Sequence, residues 1–206
     1  MRYLCAAVGL ALVLHVSHAE AGPPTDQLKQ HVDEVIRVLD DPTLQAQPAQ
    51  RHAAIRKIAE NIFDYPNTAR RALGPHWSAR TPEERKEFVT LFADLLDRAY
   101  LSRIDLYQGE KVRYTSEAVD GNEAMVKTTL LTPRGTSIPV DYRMHLVDGR
   151  WLVYDVIIEG VSLVSNYRQQ FNKVIVTESY PVLVQKMRAR QAEPSASPAP
   201  RPRRER

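Results

Sequence analysis

The chain has 206 residues, a single cysteine, and 28 Lys+Arg against 25 Asp+Glu, for a formal net charge of +3. Four of the arginines lie after residue 190, so the body of the chain is almost neutral and lacks the basic stripe that nucleic-acid binding requires. We therefore expect no nucleic-acid partner.

The N-terminus has the pattern of a cleavable export signal over residues 1–21. A positively charged start precedes the apolar run Leu4–Val16, which is too short to span a bilayer, and cleavage fits after Ala21 or after Ala19. Cys5 lies too early in that run to be a lipidation site. We expect a periplasmic protein whose mature chain has no thiol, and hence no disulfide, cysteine nucleophile or thiolate metal site.

The first half of the mature chain has the 3.6-residue period of amphipathic helices. Apolar residues recur at that spacing over Thr25–Leu39 and again over Arg51–Phe63. A short helix is predicted from Pro66 to Leu73, ending at Gly74.

The strongest helix prediction covers residues 82–106. Thr81 and Glu84 form a capping box, and Pro82 occupies the first helical position. A broad apolar stripe follows, made of Phe88, Leu91, Phe92, Leu95, Leu96, Ala99 and Tyr100. A helix with such a stripe must lie against an equally apolar surface.

From residue 111 the apolar period changes to two. The pattern predicts four strands joined by tight turns, and therefore antiparallel: Lys111–Val119, Ala124–Thr132, Thr136–Val147 and Arg150–Ile158. In the third strand Ile138, Val140, Tyr142, Met144 and Leu146 share one face, and Asp141, Arg143 and His145 share the other. This alternation indicates a sheet with one covered face.

Helical stripes return over Leu163–Ile175 and Tyr180–Met187. Helices, an antiparallel meander and closing helices predict an α+β domain over residues 22–190. We expect a curved four-stranded antiparallel sheet with helices packed on one face around an apolar cavity. Residues 191–206, rich in Pro, Ala, Ser and Arg, are predicted to be a disordered tail.

The stretch YDVIIEGVSLVSNYRQQF, residues 154–171, combines a strand, a Gly-x-Ser turn and a helix, as in the nucleophile elbow of serine hydrolases. Val164 is too large for the tight elbow, and no histidine follows Ser162 to complete a triad in the order of that fold. We interpret Ser162 as a helix N-cap that accepts from the Ser165 amide. We expect no catalytic residue and no enzyme activity.

Two other kinds of site to consider are a metal site and an acid–base pocket. The four histidines after the signal are isolated, without metal-ligand spacing, so we expect no metal and no cofactor. One enzymatic alternative stays open, an isomerase-like pocket with Asp155 as a buried general base and Tyr142 or His145 acting beside it.

The wide apolar stripes have two interpretations. They form either a plain core, as in a purely structural adaptor, or the walls of a cavity for a hydrophobic ligand. For the cavity, the predicted lining consists of Leu95, Tyr100, Val126, Val140, Tyr142, Met144, Val153, Val161, Tyr167 and Phe171.

Several segments together resemble the MlaC family, also called toluene-tolerance Ttg2 auxiliary proteins. They are Phe63, the run Ala69–Gly74 with Trp77, the aromatic helix followed by Tyr107, and above all Trp151–Phe171. The resemblance covers about residues 25–190. It implies a soluble periplasmic carrier that holds a phospholipid, with the acyl chains between helices and sheet and the headgroup near solvent.

The resemblance also implies partners. These are the phospholipid ligand, an inner-membrane MCE-domain ABC transporter and an outer-membrane lipoprotein–porin complex, between which the carrier moves lipid and so maintains outer-membrane lipid asymmetry. A related subgroup accompanies hopanoid synthesis genes, and a hopanoid-associated lipid carrier stays open as an alternative. We expect a monomer. The tail after Arg190 is not part of the family pattern.

Overall fold

The computed structural model describes residues 23–104 and 106–192, so the predicted export signal and residues 193–206 of the predicted tail lie outside the described chain. The helices are α1 Pro23–Asp40, α2 Pro42–Gln45, α3 Pro48–Ile62, α4 Tyr65–Leu73, α5 Pro82–Ile104, α6 Leu163–Thr177 and α7 Tyr180–Ala192, with a short 3-10 helix at Gly74–Trp77. The strands are β1 Lys111–Asp120, β2 Glu123–Leu131, β3 Ser137–Val147, β4 Arg150–Ile158 and β5 Val161–Ser162.

The predicted helices are present, with ends that differ by a few residues. The capping box at the start of α5 forms as expected: the Thr81 amide donates to Glu84 Oε2 at 2.9 Å, and the Glu84 amide donates to Thr81 Oγ1 at 3.2 Å. The last helix, α7, continues to Ala192, so the first two residues assigned to the disordered tail are helical.

The sheet is antiparallel in the order β1-β2-β3-β4-β5, which confirms the meander but corrects its strand number from four to five. In the fifth strand Val161 pairs with Ile158, and Ser162 with Ile157. The chain reverses through Glu159 and Gly160, which have left-handed φ values of 50° and 81°. A two-residue turn with both residues in that region folds a strand back tightly, and a two-residue strand is too short to show periodicity.

One face of the sheet is covered by α1 and α3. Leu28 of α1 and Ile62 of α3 pack in one buried cluster with residues of β2, β3 and β4. The N-terminus of α1 is also fixed to β1, because the Thr25 amide and hydroxyl both donate to Glu117 Oε2, at 2.8 and 2.6 Å. We call the buried cluster that Leu28 and Ile62 form with β2, β3 and β4 the sheet core.

The other four long helices bury their apolar faces on one another and form a second cluster, the helical core. It contains Phe88, Phe92, Phe171, Tyr180 and Leu183 from α5, α6 and α7, together with Ala69, Ala72 and Leu73 of α4. The chain enters this core from the edge of the sheet, where Phe63 bridges Val153 and the Asp64 amide donates to the Val153 carbonyl at 2.9 Å. The domain therefore has two cores, side by side.

Candidate functional site

Three of the ten predicted lining residues are closed off inside the sheet core. Val126, Met144 and Val153 are each 0% exposed, one on each of β2, β3 and β4. A side chain with no exposure has protein atoms on every side, and here these include Leu28 and Ile62. These three residues share the predicted face, but in this structure they face packed side chains.

Phe171 and Tyr167 lie in or against the helical core. Phe171 meets the rings of Phe88 and Phe92 edge-on, at centroid distances of 5.5 and 5.3 Å, and Tyr167 meets Phe92 edge-on at 5.2 Å. Such edge-to-face contacts stabilise an aromatic cluster beyond simple burial. Phe171 is closed off, whereas Tyr167 is only half-buried.

Five of the ten predicted lining residues are half-buried, so part of each side chain is accessible. Leu95, Tyr100 and Tyr167 lie on the helices, and Val140 and Tyr142 lie on β3. Burial raises the pKa of Tyr142 to about 12, so its hydroxyl is neutral at any physiological pH. The tenth residue, Val161, is 58% exposed on β5 and contributes least to an enclosed surface.

A tyrosine that the sequence prediction omitted lies among these residues. Tyr114 of β1 packs against the sheet core, and its Cα partner is Thr128. Its buried hydroxyl has no hydrogen-bond partner among the described residues, and burial raises its pKa. Its place on the covered face follows from the alternation within β1, but the missing partner depends on tertiary packing, which no sequence pattern reveals.

A charged contact joins α3 to α5. Arg56 Nε lies 2.6 Å from Asp97 Oδ2, and the Asp97 side chain is 13% exposed. Burial raises the pKa of Asp97, and the Arg56 guanidinium partly opposes that shift. Tyr65 lies beside this pair, and its pKa is raised first by burial and then by Asp97. Because α3 belongs to the sheet core and α5 to the helical core, the pair connects the two cores.

The serine and aspartate of the strand–helix turn form a closed network. Ser162 caps α6 as predicted, since its Oγ accepts from the Ser165 amide at 3.0 Å, and the same hydroxyl donates to Asp155 Oδ2 at 2.6 Å. Asp155, which is 3% exposed, also accepts from the Val164 amide at 3.1 Å and from Arg143 at 3.2 Å. A carboxylate held by three donors and closed to solvent is placed to stabilise the turn rather than to abstract a proton.

The residues of the enzymatic alternative are not brought together. Tyr142 lies on the covered face of β3, whereas His145 has the opposite parity and bonds through Nε2 to Asp64 Oδ2 at 2.9 Å. His145 also meets the Tyr154 ring edge-on at 5.5 Å. Within residues 23–104 and 106–192, no group of three or more His, Cys, Asp or Glu side chains is arranged to hold a metal ion.

A shallow depression of about 640 Å³ opens on the surface between α4, the 3-10 helix and α6. Its lining combines the basic residues Arg70, Arg71 and Arg168 with Pro75 and Trp77. It is separate from the ten predicted lining residues. In the part of the chain that the structure describes, no helix is both long and apolar enough to cross a membrane.

Comparison with known proteins gives consistent results. The family model described as MlaC protein matches residues 29–189. The intermembrane phospholipid transport system binding protein MlaC of Haemophilus influenzae is 22% identical over 149 residues, which cover 68% of this chain and 70% of that protein. Toluene tolerance protein ttg2D of Pseudomonas putida is 25% identical over 126 residues, 60% of this chain and 59% of that protein.

A solved structure has the same fold. The phospholipid-binding protein from Ralstonia solanacearum, determined in complex with a phospholipid, superposes with a TM-score of 0.76 at 28% identity. The match covers 83% of this chain and 98% of that one.

Proposed function

Because the chain belongs to the MlaC family, we propose that it is a phospholipid-binding transport protein. The observation that carries the proposal is the structural match to the Ralstonia solanacearum protein, which extends over almost the whole of a chain that was solved with a phospholipid bound. Two named relatives, an intermembrane phospholipid transport protein and a toluene tolerance protein, support the same function.

The chemistry of lipid transport favours the boundary between the two cores as the binding site. Each CH₂ of an acyl chain costs about 0.8 kcal/mol when it is exposed to water, so a carrier must enclose nearly the whole chain. The half-buried apolar residues Leu95, Tyr100 and Tyr167 on one side, and Val140 and Tyr142 on the other, offer apolar surface that is not yet covered. We place the acyl chains between these two groups.

The remaining predicted residues have supporting places in this proposal. Val126, Met144 and Val153 pack on the same covered face of the sheet as Val140 and Tyr142, and Phe171 fixes α6 to α5. Val161 lies at the outer margin. The Tyr114 hydroxyl, which has no hydrogen-bond partner among the described residues, suits an ester or phosphate oxygen of the lipid where the chains join the headgroup.

The proposed function also implies a cellular location and protein partners. Export by the signal over residues 1–21 would deliver residues 22–190 to the periplasm as a monomeric lipid-binding domain. There the carrier would exchange phospholipid with an inner-membrane MCE-domain ABC transporter and an outer-membrane lipoprotein–porin complex, and so maintain lipid asymmetry. A hopanoid-associated carrier would use the same fold with a different lipid, and identification of the extracted lipid separates the two.

A bulky substitution at the boundary tests the proposal. Val140→Trp adds an indole to the covered face of β3 and should reduce the copurified phospholipid per protein at least about threefold, because the ring takes volume that acyl chains need. Lipid phosphorus after solvent extraction gives the amount, and circular dichroism checks the fold.

Lys127→Trp is the matched control, since Lys127 is exposed on β2 and its side chain points to the opposite face from Val126. It should retain the wild-type lipid content. Equal lipid in both variants would mean that the acyl chains do not lie against β3.

A further inference from the structure

We propose that the depression between α4, the 3-10 helix and α6 is a docking site for a carboxylate-rich segment of a protein partner. The depression holds about 640 Å³ and carries three arginines and no acidic residue in its lining. Its lining includes Arg70, Arg71, Gly74, Pro75, Trp77 and Arg168. This site is distinct from the lipid-binding surface, and the inference goes beyond the proposed function.

Arg71 forms the fixed back of the depression. Its Nε donates to Asn67 Oδ1 at 2.9 Å, and its Nη2 lies 3.3 Å from Glu123 Oε1. Its guanidinium also stacks over the Tyr154 ring, 3.9 Å from the centroid. An arginine held in three ways contributes positive potential but has little capacity to bind a new anion.

Arg168 is held in place but keeps its binding groups. Its Nε donates to the Arg71 carbonyl at 2.8 Å, which satisfies one of the last carbonyls of α4. A guanidinium has five N–H donors, and the terminal nitrogens of Arg168 make no hydrogen bond or ion pair within the described chain. The side chain is therefore positioned for an anion without the usual loss of rotamer freedom.

Gly74 makes this position of Arg168 possible. Its φ is +58°, and a Cβ built there would lie 3.3 Å from Arg168 Cδ. A larger residue would need a strained backbone and would push the arginine away. Outside the lining, His76 Nε2 lies 2.9 Å from Asn172 Oδ1 and so ties the 3-10 helix to α6.

Arg70 supplies the second available cation. It is exposed on α4, forms no ion pair among the described residues, and makes only a 3.5 Å contact to Asn67 Oδ1. Arg70 and Arg168 thus reach one depression from two helices with their charges uncompensated. Guanidinium groups bind carboxylates in a planar, two-bond geometry, which fits Asp and Glu side chains.

The lining favours a protein segment over a lipid surface. Trp77 and Pro75 add apolar contact beside the cations, and Arg and Trp are the residues that most often dominate binding at protein interfaces. A solvated basic surface would be typical of isolated arginines, but Arg70 and Arg168 line one depression and Arg168 is held in place by the Arg71 carbonyl.

Charge reversal tests the site directly. The probe is a fluorescein-labelled peptide of alternating Glu and Leu, titrated with full-length mature protein at 50 mM and at 300 mM NaCl and followed by anisotropy. The double variant R70E/R168E should bind the peptide at least about tenfold more weakly than wild type, and salt should weaken wild-type binding. Arg134→Glu is the matched control, since Arg134 lies exposed in the β2–β3 turn.

Four measured outcomes decide the proposal. A loss in R70E/R168E but not in Arg134→Glu supports it. Equal losses in both variants, or no peptide binding by wild type, overturn it. Phosphatidylglycerol vesicles form the second arm: loss of vesicle binding with unchanged peptide binding would assign the arginines to a membrane and also overturn it. Copurified lipid, measured in the same variants, should stay at the wild-type level, so failure of the docking site is distinguishable from failure of lipid binding.

Discussion

Asp155 stabilises the junction between β4 and α6. It holds the Ser162 hydroxyl, the Val164 amide and Arg143, all within 3.2 Å. The two residues after the hairpin turn, Val161 and Ser162, form β5, so the aspartate fixes strand and helix at once. This is the stretch whose Gly-x-Ser pattern first suggested a nucleophile, and the contacts assign its polar groups to structure.

Replacing this carboxylate should therefore cost stability. Asp155→Ala leaves a buried amide, a hydroxyl and a guanidinium without their acceptor, and should lower the free energy of unfolding by about 3 kcal/mol. Urea unfolding followed by circular dichroism measures the change. Asp141→Ala, on the same strand face as Arg143 but half-exposed, should change it by less than about 0.5 kcal/mol. A loss below 1 kcal/mol at Asp155 would speak against a structural role.

Some of these structural contacts can be predicted from the sequence, and others cannot. Ser162 follows from a local pattern, because an N-cap and its amide partner lie three residues apart. The pairing of Asp155 with Arg143 depends on the register between β3 and β4, which shifts by one residue beside Arg143. The Tyr114 hydroxyl and the Arg168–Gly74 contact depend on packing between distant segments, so no spacing in the chain reveals them.

At the scale of elements, we expect the contact between α3 and α5 to depend on pH. Burial raises the pKa of Asp97, which faces Arg56 and also Asp94 and Glu60. Between the usual aspartate range and this raised pKa, the folded protein keeps a proton that the unfolded chain has lost. The free energy of unfolding therefore falls as pH rises through that window.

Asp97→Asn isolates this effect, because asparagine does not titrate. The free energy of unfolding of wild type minus that of Asp97→Asn should fall as pH rises from about 3.5 to the raised pKa and then stay constant, with a slope no steeper than about 1.4 kcal/mol per pH unit. Urea unfolding at half-unit pH steps measures it. A difference that grows with pH would mean that Arg56 dominates and that the pKa of Asp97 is lowered.

Long amphipathic elements were predictable, and short or tertiary ones were not. The six longer helices and the four longer strands follow from periods of 3.6 and 2 over nine or more residues, whereas the four-residue helix α2 was not predicted. β5 has two residues and no period. The division into two cores could not be predicted from the sequence either. An apolar stripe indicates that a helix face is buried, but it does not indicate which neighbouring element buries it.

At the scale of the whole molecule, we propose that the boundary between the two cores provides the lipid-binding surface. Each core is closed by its own contacts, with Phe88 and Phe92 in one and Val126 and Met144 in the other. The apolar side chains that we assign to the boundary are half-buried. In this proposal, phospholipid acyl chains cover them.

Native mass spectrometry of the protein purified from the periplasm tests whether phospholipid is bound. We expect a second charge-state series, heavier than the apoprotein by the mass of one or more phospholipids, that collapses to the apoprotein on collisional activation. Solvent extraction should identify the released lipid as phospholipid. The contradicting result is a spectrum that shows only the mass of the bare chain, under conditions that preserve the lipid of a known carrier protein. Phospholipid binding would then be wrong.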